Sequence, residues 1–323
     1  MRLPAALFLL GCVLCAAPAP AGTLKEWRES ERAAAGLVSG RRTVDDVDLA
    51  YSIGGPPDGA LVVLLHGYTA SRDHWNRVAA LLTPKYRVVI PDLPGHGDTR
   101  VPAGYRYTPG ENVDTVRHFI DTLDVTGYHL VGHSMGGGLA MPLASFDRNK
   151  VLSLTLMSAA GVYENNDAPL ARRIAAGENP LLVRSRGQLA PLMQELMVRP
   201  PVLAPDLLRQ LEGERIRRAG EYEKTMEQMR LMGTYFTPEA YRSNLRFLRA
   251  PVQLLWGEGD RLVSVAVVEE MRPHFRQPPV VTLLKEVGHV PALEAPEQTA
   301  AALDAFFAQH PVLSPQQPVP ASN

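Results

Sequence analysis

The chain has 323 residues, 46% of them hydrophobic and 21% charged, with a formal net charge of −1. That is enough apolar material for one large globular domain with an insertion, and the balanced charge leaves no electrostatic footprint for nucleic acid. It has two cysteines, Cys12 and Cys15, both near the N-terminus, and no metal-site spacing stands out.

Met1-Arg2 is a minimal basic start, and Leu3 to Ala17 is apolar apart from Pro4. This run is shorter than the ~20 residues that a membrane span needs. It ends in Ala17-Pro18-Ala19-Pro20-Ala21-Gly22, a small-x-small pattern, so residues 1–21 read as a signal peptide cut after Ala21. Both cysteines then leave with it. In the alternative reading, Leu9-Leu10-Gly11-Cys12 is a lipobox and Cys12 carries a lipid anchor. Either reading exports the chain, to the periplasm or beyond, and the second adds association with a membrane surface. No pattern speaks to oligomeric state.

Thr23 to Ser39, charged and alanine-rich, reads as a short helix, and Arg42 to Ile53 as a first hairpin before the strand Leu61 to Leu65. Helical spacing over Asp73 to Leu82 and Gly110 to Leu123 brackets a strand at Tyr86 to Ile90. Tyr128 to Val131 and Val151 to Met157 are further strands, with a small-residue helix between them. Strands alternating with helices give the α/β class, a mostly parallel sheet covered on both faces. The alternation stops from Tyr163 to Arg249, where helical stretches are punctuated by prolines. Residues 163–249 therefore read as a helical cap inserted between two parts of one core, 22–162 and 250–310. Within the insert, Tyr222, Met226 and Met229 form an apolar stripe. One reading packs it into the core; the sharper one turns Met226, Met229 and Met232 toward a substrate pocket, since thioethers adapt to varied apolar ligands. Arg215, Arg217 and Arg218 read as a solvated face. The tail 311–323, rich in Pro, Ser and Gln, reads as disordered.

Chemistry concentrates at three strand ends. Ser134 lies in Gly132-His133-Ser134-Met135-Gly136, between a strand and a helix, the setting of a nucleophile elbow. A serine hydroxyl is a poor nucleophile until a base, an orienter for that base and oxyanion donors surround it. Asp260 follows the strand-like Val252 to Trp256, and His289 follows Val280 to Leu284. Catalytic groups of open α/β sheets collect at such carboxyl ends. Glu164, past the strand after the elbow helix, is the rival acid, with the poorer loop context. The expected oxyanion donors are the backbone amides of Met135 and Tyr68, with Gly67 letting that loop approach and the Tyr68 side chain lining an acyl pocket. His66 and His96 read as structural. His129 and His133 share a strand face but have no acid or thiol nearby, so no metal set is expected.

The segments His66-Gly67-Tyr68 to Trp75, Pro91-Asp92-Leu93-Pro94-Gly95-His96-Gly97, Gly132 to Gly137, Trp256 to Asp260 and Gly288-His289 resemble the α/β-hydrolase superfamily. More narrowly, they resemble monoacylglycerol lipases and small bacterial triacylglycerol lipases and esterases. The resemblance implies an α/β-hydrolase fold and a serine hydrolase that cleaves carboxylic esters with apolar acyl chains, acylglycerols among them. It implies an acyl-enzyme on Ser134, a Ser-His-Asp triad, no cofactor, and a small-molecule ester or lipid as the partner. Two alternatives stay open: a carbon–carbon or amide bond hydrolase on the same triad, and a non-catalytic ligand-binding protein of the same fold.

Overall fold

Helix α1 (Leu24–Ala34) starts at a reciprocal cap, in which Thr23 Oγ1 accepts from the Glu26 amide and the Glu26 carboxylate accepts from the Thr23 amide. Gly36, at φ 66°, ends it sooner than the expected boundary at Ser39. Strand β1 (Leu37–Val44) then pairs antiparallel with β2 (Val47–Gly54) across a two-residue turn, Asp45-Asp46, with φ of 47° and 65°. Left-handed residues at both turn positions match the strand twist, and aspartate tolerates them better than most side chains. The hairpin thus begins earlier than Arg42. This computed structural model describes residues 22–235 and 237–311, with backbone alone for 232–235. The expected signal peptide with Cys12 and Cys15, and the expected tail beyond residue 311, lie outside the described residues.

Six further strands complete the sheet: β3 (Leu61–Leu65), β4 (Arg87–Pro91), β5 (Tyr128–His133), β6 (Val151–Met157), β7 (Val252–Gly257) and β8 (Val280–Leu284). Their order is β1-β2-β4-β3-β5-β6-β7-β8, antiparallel over the first three and parallel from β4 to β8. The central strands are mostly apolar because both faces are covered, and their few polar residues, such as His129, Ser153, Thr155 and Gln253, are buried. After a 3-10 turn at Arg72–Trp75, α2 (Asn76–Leu82) covers one face with α12 (Pro296–Phe307), around Trp75, Leu82 and Phe307. On the other face lie α3 (Pro109–Asp121), α4 (Met135–Phe146) and α10 (Ala266–Met271), packed through Phe119, Leu143 and Met271.

Between β6 and β7 the described residues form five helices and no strand: α5 (Pro169–Ala175), α6 (Leu189–Leu196), α7 (Pro205–Arg217), α8 (Ala219–Tyr235) and α9 (Pro238–Leu245). Three of them open on the prolines that punctuate the sequence, where a missing N–H and a fixed φ are harmless. Helix α7 is tied to α1, with Arg28 gripping Glu214 through two bonds of 2.7 and 3.0 Å. A last short helix, α11 (Pro291–Glu294), follows His289.

Candidate active site

Ser134 joins β5 to α4 at φ 51°, ψ −120°, a conformation that costs a serine about 1–3 kcal/mol and persists only where the surroundings enforce it. Here its amide donates to the Met157 carbonyl at 2.9 Å, and its own carbonyl accepts from Gly137, Gly138 and Ala160 at 2.8–3.1 Å. No side chain fits the flanks. A Cβ on Gly132 would lie 2.4 Å from the Gly136 oxygen, and one on Gly136 would lie 2.6 Å from the carbonyl oxygens of Leu65 and His66.

Ser134, His289 and Asp260 are brought together and are all buried, at 7%, 3% and 7% exposure. His289 Nε2 is 3.0 Å from Ser134 Oγ, and Nδ1 is 2.9 and 3.1 Å from the two Asp260 oxygens. The Leu262 and Val263 amides each donate to Asp260 Oδ1 at 2.9 Å, fixing the carboxylate against the ring. The backbone of His289 is held too: its amide donates to Leu196 of α6, and its carbonyl accepts from His133 Nε2 at 2.7 Å. With Asp260 accepting at Nδ1, the neutral imidazole presents a lone pair at Nε2, the geometry of a general base beside a hydroxyl.

The loop after β3 reaches the same point. A Cβ on Gly67 would be 3.1 Å from Ser134 Cβ, so glycine lets this backbone close on Ser134. Among the described residues, no acceptor takes the amide of Tyr68 or of Met135, which leaves both free for an oxyanion. The Tyr68 hydroxyl donates to the Tyr222 carbonyl at 2.7 Å and accepts from Asn179 at 3.1 Å, and burial pushes its pKa up. His66 supports the loop from below: Nε2 accepts from the Leu93 amide at 3.0 Å, and Nδ1 donates to the Gly67 carbonyl at 2.8 Å. Burial, the largest cause, holds its pKa low. His96 bonds within its own turn, to Pro94 at 3.1 Å.

Ser134, His289 and Tyr68 open on one cavity, walled by Leu189, Leu192 and Leu196 of α6, Leu211 of α7, and Leu262 and Leu293. Met226 and Met229 are absent from that wall. Met226 is buried in the core, and Met229 lines a separate groove with Met141, Tyr241 and Phe247. Met229 thus faces the elbow helix, Tyr222 packs against Tyr68 and His96, and the leucines of α6 take the place expected for the methionines. The side chain of Met232 is outside the described residues. Glu164 pairs with Arg242 at 2.9 Å on the surface, away from His289. Arg215, expected on a solvated face, instead lines the cavity and donates to Thr69 Oγ1 at 2.9 Å, and sequence reasoning gave no role at the site to His133 or Asn179. Neither a charged run on a helix nor a single polar residue on a strand or loop signals which cavity it will reach.

A family model described as the alpha/beta hydrolase family matches residues 62–302. Among solved structures, a membrane phospholipase A superimposes with a TM-score of 0.83 at 35% identity, covering 88% of this chain and 90% of that one. Lipase 1 of Psychrobacter immobilis is 25% identical over 94% of this chain and 95% of its own. The monoacylglycerol lipase ABHD6 of Homo sapiens is 26% identical over 82% and 80%. The chain spans 66% of the length of another relative, an acetyltransferase component of the acetoin cleaving system from Pseudomonas putida, at 28% identity.

Proposed function

The chain belongs to the alpha/beta hydrolase family as a carboxylic ester hydrolase, and we propose that it cleaves esters of apolar acyl chains, acylglycerols among them, through Ser134, His289 and Asp260. The observation that carries this reading is the unbroken contact from Asp260 through His289 to Ser134 Oγ beneath an apolar cavity. Ser134 attacks the ester carbonyl as His289 Nε2 takes its proton. Asp260 keeps the proton of Nδ1 in place and stabilises the imidazolium. The Tyr68 and Met135 amides receive the oxyanion, each contributing on the order of 10²–10³ in rate. The alcohol leaves with the proton from His289, and water deacylates Ser134 by the same route.

Residues 163–249 act in this reading as the cap that shapes the acyl site. With leucines lining it, each buried CH₂ contributes about 0.8 kcal/mol, so kcat/KM rises about fourfold per carbon until the cavity is filled. A nitrophenyl ester series tests this, with rates expected to peak at medium chains. A maximum at acetate, falling with length, would leave a short-chain esterase. Carbon–carbon bond hydrolysis on the same residues is favoured by one observation, the Arg215 guanidinium on the cavity wall, which suits a carboxylate-bearing diketone. Turnover of such a diketone at the ester rate would select it.

A further inference from the structure

Three arginines near the end of α7 face three ways. Arg217 is exposed, whereas Arg218 donates to the Gly95 carbonyl at 3.1 Å and to that of Gly97. Arg215 turns inward, onto the wall of the cavity that holds Ser134 and His289. Its Nη1 donates to Thr69 Oγ1 at 2.9 Å, and its Nε is buried without a partner. No carboxylate lies within 4.0 Å of it among the described residues. Glu214, its chain neighbour, is held by Arg28 at 2.7 Å. Asp73, on the same cavity wall, is held by Arg32 at 2.6 Å and Arg28 at 3.3 Å. Glu31 and Arg77, also on that wall, offset each other in sign. Desolvation lowers the pKa of the Arg215 guanidinium, which stays charged nonetheless. A cation kept in an apolar cavity is destabilising until an anion joins it.

We propose that Arg215 anchors a phosphate carried on the alcohol half of the ester, so that the preferred substrates are acylglycerol phosphates and not neutral acylglycerols. The proposal rests on the ester hydrolase reading and narrows it. The leucines that wall the cavity suit the hydrocarbon of the acyl half, which leaves the charge to the alcohol half. The guanidinium's partner Thr69 follows Tyr68, the oxyanion donor, and consecutive residues lie about 3.8 Å apart. Arg215 is thus tied to the loop that carries the oxyanion donor. The first carbons of an acyl chain carry no charge there. A glycerol phosphate puts its anion a few bonds from the ester oxygen, and the planar fork of arginine matches phosphate oxygens.

The test compares kcat/KM for octanoylglycerol and octanoylglycerol phosphate, both kept monomeric at low ionic strength, by released octanoate. Wild type should favour the phosphate by at least about tenfold, the range of a charge-assisted bond. In Arg215→Gln that ratio should fall to within about threefold of unity, and Arg215→Lys should keep part of it. Inorganic phosphate should compete with octanoylglycerol in the wild type. Equal rates on the pair in the wild type, with no inhibition by phosphate, would overturn the proposal without any variant. A ratio unchanged in Arg215→Gln would overturn it too, reducing Arg215 to a tie for Thr69. So would a preference for an ω-carboxyl acyl ester in place of the phosphate, which puts the charge on the other half. Hydrolysis of nitrophenyl octanoate and its loss in Ser134→Ala report on the ester hydrolase reading separately.

Discussion

Asp260→Asn keeps the shape of the side chain, so its effect falls on the tautomer of His289. The carboxylate accepts from the Leu262 and Val263 amides through Oδ1, at 2.9 Å each, while both oxygens face His289 Nδ1. Asparagine has only one oxygen to offer. Turning its NH₂ toward the two backbone donors would strand both of them in the interior, at about 1–3 kcal/mol each. The oxygen therefore stays with the amides, and the NH₂ donates to Nδ1. His289 then carries its proton on Nε2, 3.0 Å from Ser134 Oγ, with no lone pair there to accept the serine proton. The loss in kcat should be on the order of 10⁴, or about 5 kcal/mol of transition-state stabilisation. Two backbone bonds and the side-chain volume survive, so the melting temperature should move by no more than about 2 °C. Initial rates on a nitrophenyl ester, alongside a thermal melt, read both quantities. Activity above about a hundredth of wild type in a folded Asp260→Asn would refute the tautomer argument. Glu164→Gln, which breaks only the surface pair with Arg242, should leave the rate within about twofold.

Acid should destabilise the fold well before its carboxylates titrate. Burial is the first cause holding the pKa values of His66, His74, His96, His129 and His133 below the ordinary range, with His129 at about 4 and His74 at about 3. The unfolded chain binds protons near pH 6.5 where the native state does not, so stability is full above 6.5 and falls as the pH drops toward 4. Denaturant unfolding at pH 7 and pH 5 checks this, and equal midpoints would contradict it. Gly136→Ala should cost at least about 3 kcal/mol or yield insoluble protein, because its Cβ would meet the rigid carbonyl oxygens of Leu65 and His66 at 2.6 Å; an unchanged melt would contradict that. Mass spectrometry of protein from an exporting host should find a mature chain starting at or near Gly22 without cysteine, and a diacylglyceryl group on Cys12 would select the lipoprotein alternative.

Much of the sheet was legible because local chemistry and backbone constraint coincide in short windows. Val151 to Met157 and Val280 to Leu284 are strands with the limits expected: the first is a covered run whose Ser153 and Thr155 are buried, and the second is a half-exposed edge strand rich in β-branched residues. Ser134, Asp260 and His289 stood out because each follows such a run, and the structure brings them within hydrogen-bond reach. The insert was less transparent. Tyr222, Met226 and Met229 mark a buried face of α8, but periodicity says nothing of which cavity that face meets. Arg215-Ile216-Arg217-Arg218 reads as a charged surface run, yet each residue of a helix turns about 100° from the last, and this rotation sends one guanidinium into the cavity. The hairpin shift to Leu37 has a similar origin. Gly36 ends α1 through a left-handed φ that composition alone does not reveal.

The central claim is that Ser134 is the nucleophile of an acyl-enzyme, and covalent labelling tests it most directly. The wild-type protein is treated with a fluorophosphonate, digested and mapped by mass spectrometry, with Ser134→Ala treated in parallel. The account predicts one adduct, on the peptide that carries Ser134, formed in step with loss of ester turnover. It also predicts a folded Ser134→Ala that takes no label and hydrolyses no ester above background. An adduct on another residue, or a Ser134→Ala variant that still turns over ester at more than a few per cent of the wild-type rate, would contradict it.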